Sequence, residues 1–377
     1  MKRTLVSSVA FLFLGLGTAA IADPPKPSLQ YDSDDIKIAA ATEDEPRVRS
    51  FNAQTIQAAS KYLDDGAVAW VEQRTCVACH TSGVYMSERP SLTGLLGKPQ
   101  ESVRQNFLEA IPSKIPDPKT DRGVTYYPAA DRAVWRSVGL AEWDKHVLGK
   151  LSSDTERSLR DMLLLQSSHG GYHVVGEVEV PYVTSDFSLS LQAARAIATA
   201  PGWLASLQDE DLIGRIERLK SFLLEEKLRN DYDRVQRLQL AIWMPELVGT
   251  DEVEKMIALL WGKQLPDGGW STRRMSDTMS WHVSVSDKVK TLIENLPDAS
   301  APESDPYMTA FAIVLLRQSG IATADPRIQR AVAWMKREQR ESGRWWMHSL
   351  YRGNYHFTTY IATAQAMKAL ALCEELH

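Results

Sequence analysis

Three segments of this chain share one written turn, and that repetition constrains the fold more than any other feature. Gln264-Leu265-Pro266-Asp267-Gly268-Gly269-Trp270 has counterparts in Gln339-Arg340-Glu341-Ser342-Gly343-Arg344-Trp345 and in Gln166-Ser167-Ser168-His169-Gly170-Gly171-Tyr172. Before each turn lies a stretch with apolar residues at helical spacing, such as Met256, Ile257, Leu260 and Trp261. After each comes a smaller helix-period stretch rich in Ala, Thr and Ser: Ser188 to Ala200, Thr309 to Gln318 and Thr358 to Cys373, with Arg234 to Trp243 as a further one lacking the turn. Ala67-Val68-Ala69-Trp70 recurs unchanged as Ala331-Val332-Ala333-Trp334, so a fourth segment joins the plan. Period-two alternation is nearly absent, and Val174 to Tyr182 is the one plausible hairpin strand. The expectation is an all-α domain over residues 51–377. Amphipathic outer helices alternate in it with small-faced inner helices that crowd together, which is the pattern of a closed double ring.

The turn and the helix pairs resemble the α/α-toroid of squalene-hopene cyclases and prenyltransferase-like proteins, whose repeated turn carries a glutamine, a glycine-containing gap and a tryptophan. The resemblance covers about residues 51–375 and implies a single toroid, since the chain is short for the two-toroid cyclases. It also implies that Trp70, Trp261, Trp270 and Trp334 serve core and repeat packing. Family cyclases protonate a polyene with a D-x-D-D-T-A segment. Here that stretch is Asp305-Pro306-Tyr307-Met308-Thr309-Ala310, in which only Asp305 and the Thr309-Ala310 end match. A tyrosine is far too weak an acid to protonate an alkene, so cyclisation by this route is not expected. Asp305, and Asp186 before Phe187, read as helix N-caps.

Composition excludes other classes. With 43 basic and 48 acidic residues and no basic run, the chain lacks the footprint of a nucleic-acid binder. Lys2 and Arg3 precede the apolar stretch Leu5 to Leu16 and a small-residue site ending at Ala22, which reads as a signal peptide over residues 1–22 and places the protein in the periplasm or outside the cell. Residues 23–50, proline-rich and acidic, read as a disordered lead-in.

Three cysteines are too few to staple a chain of 377 residues. Two of them form Thr75-Cys76-Val77-Ala78-Cys79-His80, a CxxCH sequence that attaches haem c, with Cys76 and Cys79 adding to the vinyl groups and His80 on the iron. It falls where the other segments have their glycine turns. Ring closure would bring the last turn beside it, so His348 or His356, ahead of His173, becomes the expected sixth ligand, or else that position is open. The sequence reading is therefore an exported cytochrome c-like protein with one covalent haem, in electron transfer or haem redox chemistry with a periplasmic redox partner. A hydrophobic small molecule would occupy the ring. The alternative is a haem-free lipid- or isoprenoid-binding protein, or a degenerate cyclase, with a Cys76–Cys79 disulfide. Cys373, in an apolar helix, reads as a packed thiol.

Overall fold

The computed structural model describes residues 42–74, 77–174, 185–277, 287–348 and 355–377. The segments expected to hold the signal peptide, most of the lead-in and the strand after Val174 lie outside them, and so does Cys76.

Among the described residues, twelve principal helices alternate between an outer and an inner ring. The outer members are α1 (Ala53–Arg74), α3 (Glu101–Glu109), α5 (Ser153–Leu164), α7 (Glu210–Glu225), α9 (Thr250–Lys263) and α11 (Pro326–Glu338). The inner members are α2 (Ser82–Glu88), α4 (Ala130–Trp143), α6 (Asp186–Thr199), α8 (Asp231–Trp243), α10 (Pro306–Gln318) and α12 (Tyr355–Leu372). Each inner helix packs on the next, α2 on α4, α4 on α6, α6 on α8, α8 on α10, α10 on α12, and α12 returns to α2. Outer helices pack against neighbouring inner ones, so the chain is an all-α, single α/α-toroid. Small residues make the inner ring possible: Ala193, Ala194 and Ala196 of α6 and Ala362, Ala364 and Ala366 of α12 are buried and let axes approach closely. The inner stretches expected from the sequence correspond to α6, α8, α10 and α12.

The repeated turn explains how successive segments are fastened. In all three copies the glutamine side chain donates twice from Nε2. Gln166 reaches Gly170 O (2.6 Å) and Arg215 O (2.9 Å), Gln264 reaches Gly268 O (2.9 Å) and Arg327 O (3.0 Å), and Gln339 reaches Gly343 O (3.1 Å) and Thr55 O (2.9 Å). One bond closes its own turn and the other clasps another outer helix. The aromatic residue ending the turn donates to a carbonyl in the last turn of the preceding helix: Tyr172 to Met162, Trp270 to Leu260 and Trp345 to Met335. Its backbone N–H in turn meets a hydroxyl of the following inner helix, Ser190, Thr309 or Thr363. The glycine is required on two counts. Gly268 has φ +101, and a Cβ there would stand 2.8 Å from the Arg330 carbonyl oxygen. Gln339 to Thr55 is the clasp that closes the ring on α1.

Two features depart from the sequence expectation. Residues 45–48, assigned to the lead-in, lie along the last turn: Val48 N–H donates to Gln339 O, Glu341 N–H to Pro46 O, and Glu45 Oε1 accepts from Ser342 N–H. These contacts satisfy turn groups that no helix reaches. A short antiparallel hairpin, Lys119–Asp121 with Val124–Tyr126, turns through Arg122 and Gly123, both at positive φ.

Candidate functional site

Inner-ring side chains line a cavity of ≈ 60 Å³ that is partly open to solvent. One enclosed water needs roughly 10–15 Å³ of such space, so the void has room for about four to six waters. Apolar and aromatic wall comes from Val84, Trp135, Phe311 and Ile361. Polar wall comes from the amides of Gln192, Gln236, Gln239 and Gln365, the serines Ser87 and Ser188, and the charged pair Glu88 and Arg195. Tyr232 and Tyr307 also face it, their hydroxyl oxygens 2.6 Å apart.

The charges beside the cavity belong to one closed network. Arg195 of α6 meets Glu88 of α2 (2.8 Å) and Glu142 of α4 (2.7 Å), and donates to the Ser87 carbonyl (2.6 Å). Lys368 of α12 takes the other oxygen of Glu88, and His146 approaches Glu142. Four inner helices are thereby tied together, and Arg195, Glu88 and Glu142 are each more than nine-tenths buried. Burial alone would raise the Glu142 carboxyl. Arg195, His146 and Lys368 outweigh it and hold the group at about 2. Glu88 is likewise held below the ordinary carboxylate range, Arg195 and Lys368 together outweighing its burial.

Asp305 serves structure. Its two carboxylate oxygens accept backbone N–H groups from Met308 (2.8 Å) and Thr272, which makes it the N-cap of α10 as expected. Burial pushes its carboxyl up to about 6 against those bonds. Tyr307, where cyclases place an acid, is raised far above the ordinary phenol range by burial and by Tyr232. Asp186 departs from expectation. Ser185 is the N-cap of α6, and Asp186, one residue on, binds His169 Nε2 (3.0 Å), His173 Nδ1 (3.0 Å) and the N–H of Val174 (2.8 Å).

Of the motif at 75–80, the described residues 77–80 pack into the ring. His80 packs edge-on against Trp70 at 4.8 Å between ring centres and against Phe357 at 4.1 Å, with Nδ1 2.7 Å from the Thr81 hydroxyl. Burial lowers its pKa to about 4, so the ring is neutral at pH 7. Cys79 instead borders the inner cavity. Ring closure does bring the last segment to this loop, but the side chain delivered onto His80 is Phe357. His348 is exposed against Trp346, and His356 is half-buried at the start of α12. His173 is engaged with Asp186 and, through Nε2, with Asp121 (3.2 Å). The cytochrome c, iron and electron-transfer reading is therefore corrected: the packing commits His80 to an aromatic box.

Among the described residues, the group with ligand atoms close enough to share a metal is His169, His173 and Asp186, all within 4.8 Å. Its hydrogen bonding opposes a metal. Gly171 N–H donates to His169 Nδ1, which leaves Nε2 as the protonated nitrogen, donating to Asp186 where a ligand would need a lone pair. The cluster ties the Gln166–Tyr172 turn to α6 and to the hairpin.

The glutamines of the cavity went unnoticed in the sequence. Their signal is a lone amide in an otherwise small or apolar inner helix, as at Ser188-Leu189-Ser190-Leu191-Gln192 and Thr363-Ala364-Gln365-Ala366.

The chain matches no protein-family model and no curated protein. Among solved structures it is similar to ent-copalyl diphosphate synthase from Streptomyces platensis at 13% identity and TM-score 0.47, covering 78% of this chain and half of the synthase's length. It is also similar to the type II terpene cyclase MstE from Scytonema (13% identity, TM-score 0.45, 85% of this chain and 98% of that one). A third is a glycosidase carrying a single substitution (10% identity, TM-score 0.44, 90% and 92%). The closed order of inner-helix contacts, independent of these likenesses, establishes the toroid.

Proposed function

We propose that this chain is a haem-free ligand-binding toroid, built like a terpenoid cyclase ring but used to hold an uncharged, amphipathic small molecule of the lipid or isoprenoid-alcohol kind by its compact end. The observation that carries this reading is the composition of the enclosed wall. Trp135, Phe311, Ile361 and Val84 offer apolar surface, several neutral amides offer hydrogen bonds, and the buried charges are spent on one another. No acid is presented for protonating an alkene, since both oxygens of Asp305 accept backbone amides outside the cavity wall. In this reading residues 1–22 export the chain and Cys76 and Cys79 form a disulfide, the state expected of a thiol pair outside the cytoplasm.

Filling the cavity tests the proposal. Wild-type protein should bind at least one of farnesol, benzyl alcohol and myo-inositol saturably in calorimetry, and Ile361→Trp, folded by circular dichroism, should bind none of them. Absence of binding by all three, or binding undisturbed in the filled variant, contradicts the reading. Thiol titration in denaturant should find one reactive thiol, that of Cys373. Three would remove the disulfide.

A further inference from the structure

We propose that the enclosed part of the ligand is a neutral polyol, a ring-sized molecule of the cyclitol or monosaccharide class recognised through its hydroxyl groups. This rests on the cavity reading above and narrows it.

The wall leaves several polar atoms unsatisfied. Gln192, Gln236 and Gln365, from α6, α8 and α12, each hold an enclosed amide oxygen that no donor reaches, and the enclosed indole nitrogen of Trp135 has no acceptor. Gln236 is only 5% exposed. An enclosed oxygen without a donor is by itself not diagnostic, because turn glutamines Gln166 and Gln339 share it. Those two, however, spend both amide hydrogens on carbonyls. Gln192 and Gln365 make no side-chain hydrogen bond among the described residues, and both border the same void as Gln236. Buried polar groups in a folded protein are ordinarily paired, so a set of them converging on one void marks a place where water, or a ligand displacing it, supplies the partners.

Amide oxygens need donors and the Trp135 N–H needs an acceptor. A hydroxyl is both, and it meets an amide presented by either end. The Tyr232 and Tyr307 hydroxyls share one hydrogen bond between them. Charge is excluded next. Arg195 and Lys368 are matched by Glu88 and Glu142, so an anion entering the cavity would find the lining cation Arg195 already committed and would face the Glu88 carboxylate. Size agrees: a void of ≈ 60 Å³ suits a six-membered ring with its substituents in contact with the wall, and rejects a folded long polyene. Trp135 and Phe311 supply apolar faces for the C–H side of such a ring.

Calorimetry on the mature protein tests this, with myo-inositol and D-glucose as polyols, glucose 6-phosphate as the anionic arm and farnesol as the apolar arm. At least one polyol should bind saturably, glucose 6-phosphate at least tenfold more weakly than glucose, and Gln236→Leu should weaken the polyol at least tenfold. Trp135→Phe, which keeps an aromatic face and removes the N–H, should also weaken it and serves as the test if Gln236→Leu fails to fold. Binding of farnesol with neither polyol overturns this proposal and leaves the cavity reading standing, whereas no binding by any probe overturns both. Tighter binding of the phosphate, or polyol binding unchanged in the folded variants, overturns the proposal as well.

Discussion

Two sets of buried or half-buried glutamines lie in this ring, and they are used in opposite ways. At the turns, Gln166, Gln264 and Gln339 each give both amide hydrogens to carbonyls, one in the same turn and one on another outer helix. Around the cavity, Gln192 and Gln365 give theirs to no described group, beside an Arg195 whose charge is fully matched. The same residue type therefore fastens the scaffold in one place and stands open in the other. A folded chain tolerates unmet amides only at some cost in stability, about 1–3 kcal/mol for each buried polar group left unpaired. Their gathering on one void, with scaffold charges closed beside them, separates what holds the ring from what the ring holds.

The comparison can be broken at its strongest point first. Arg195→Met strands Glu88 and Glu142 in the interior, and losing one member of such a buried network should cost about 3–5 kcal/mol. The loss should shrink at low pH. Glu142 is held at about 2, below its unfolded value, so its contribution is complete above the ordinary carboxylate range and disappears as pH falls toward 2. Urea unfolding at pH 7 and pH 3 checks both statements, and a loss under about 1 kcal/mol at pH 7 would mean the network contributes little.

Gln339→Leu comes next. It removes the clasp to Thr55 and the closure of Gly343, two hydrogen bonds whose loss should destabilise by about 2 kcal/mol. Because this clasp joins the last turn to α1, hydrogen exchange should accelerate in Ala53–Arg74 more than in the distant Glu210–Glu225. Uniform exchange would argue that ring closure is carried elsewhere.

A smaller effect belongs to His80. Its folded pKa, lowered by burial to about 4, lies beneath the unfolded value near 6.5, so the unfolded chain binds more protons between them. Stability should therefore be complete above about pH 6.5 and decline as pH falls toward 4, and His80→Phe should flatten that part of the profile. If the variant keeps the wild-type slope, the imidazole is solvated rather than boxed by Trp70 and Phe357. The same variant bears on the corrected reading, since a covalent haem in protein made with attachment machinery, lost on removing His80, would restore the haem site.

Most of the scaffold was legible because helix periodicity and turn chemistry are local. The spacing from Gln264 to Trp270 encodes a turn whose every polar partner lies within the repeat or in the next one, and inner helices announce themselves by small residues. The N-cap role of Asp305 followed from the same locality. What misled was also local. Cys76 to His80 has the spacing of an attachment motif, but whether its side chains share a face depends on Trp70 and Phe357, separated by nearly the whole chain and joined only by closure. The cavity amides were invisible for a related reason. Gln192, Gln236 and Gln365 lie on three helices, and nothing in any one of them reveals a common void. Asp186 shows the limit on a small scale: one residue's shift from the cap position turned a backbone role into a link between two histidines.

The most direct test of the account is the unfolding free energy of the double variant Gln192→Leu, Gln365→Leu without ligand, measured beside Gln339→Leu. If the cavity amides are kept for a ligand, replacing them with apolar groups of similar size should leave stability unchanged or raise it, while the turn variant falls by about 2 kcal/mol. A loss in the double variant as large as that of Gln339→Leu would show that the cavity glutamines hold the ring together, and the distinction between scaffold and site would collapse.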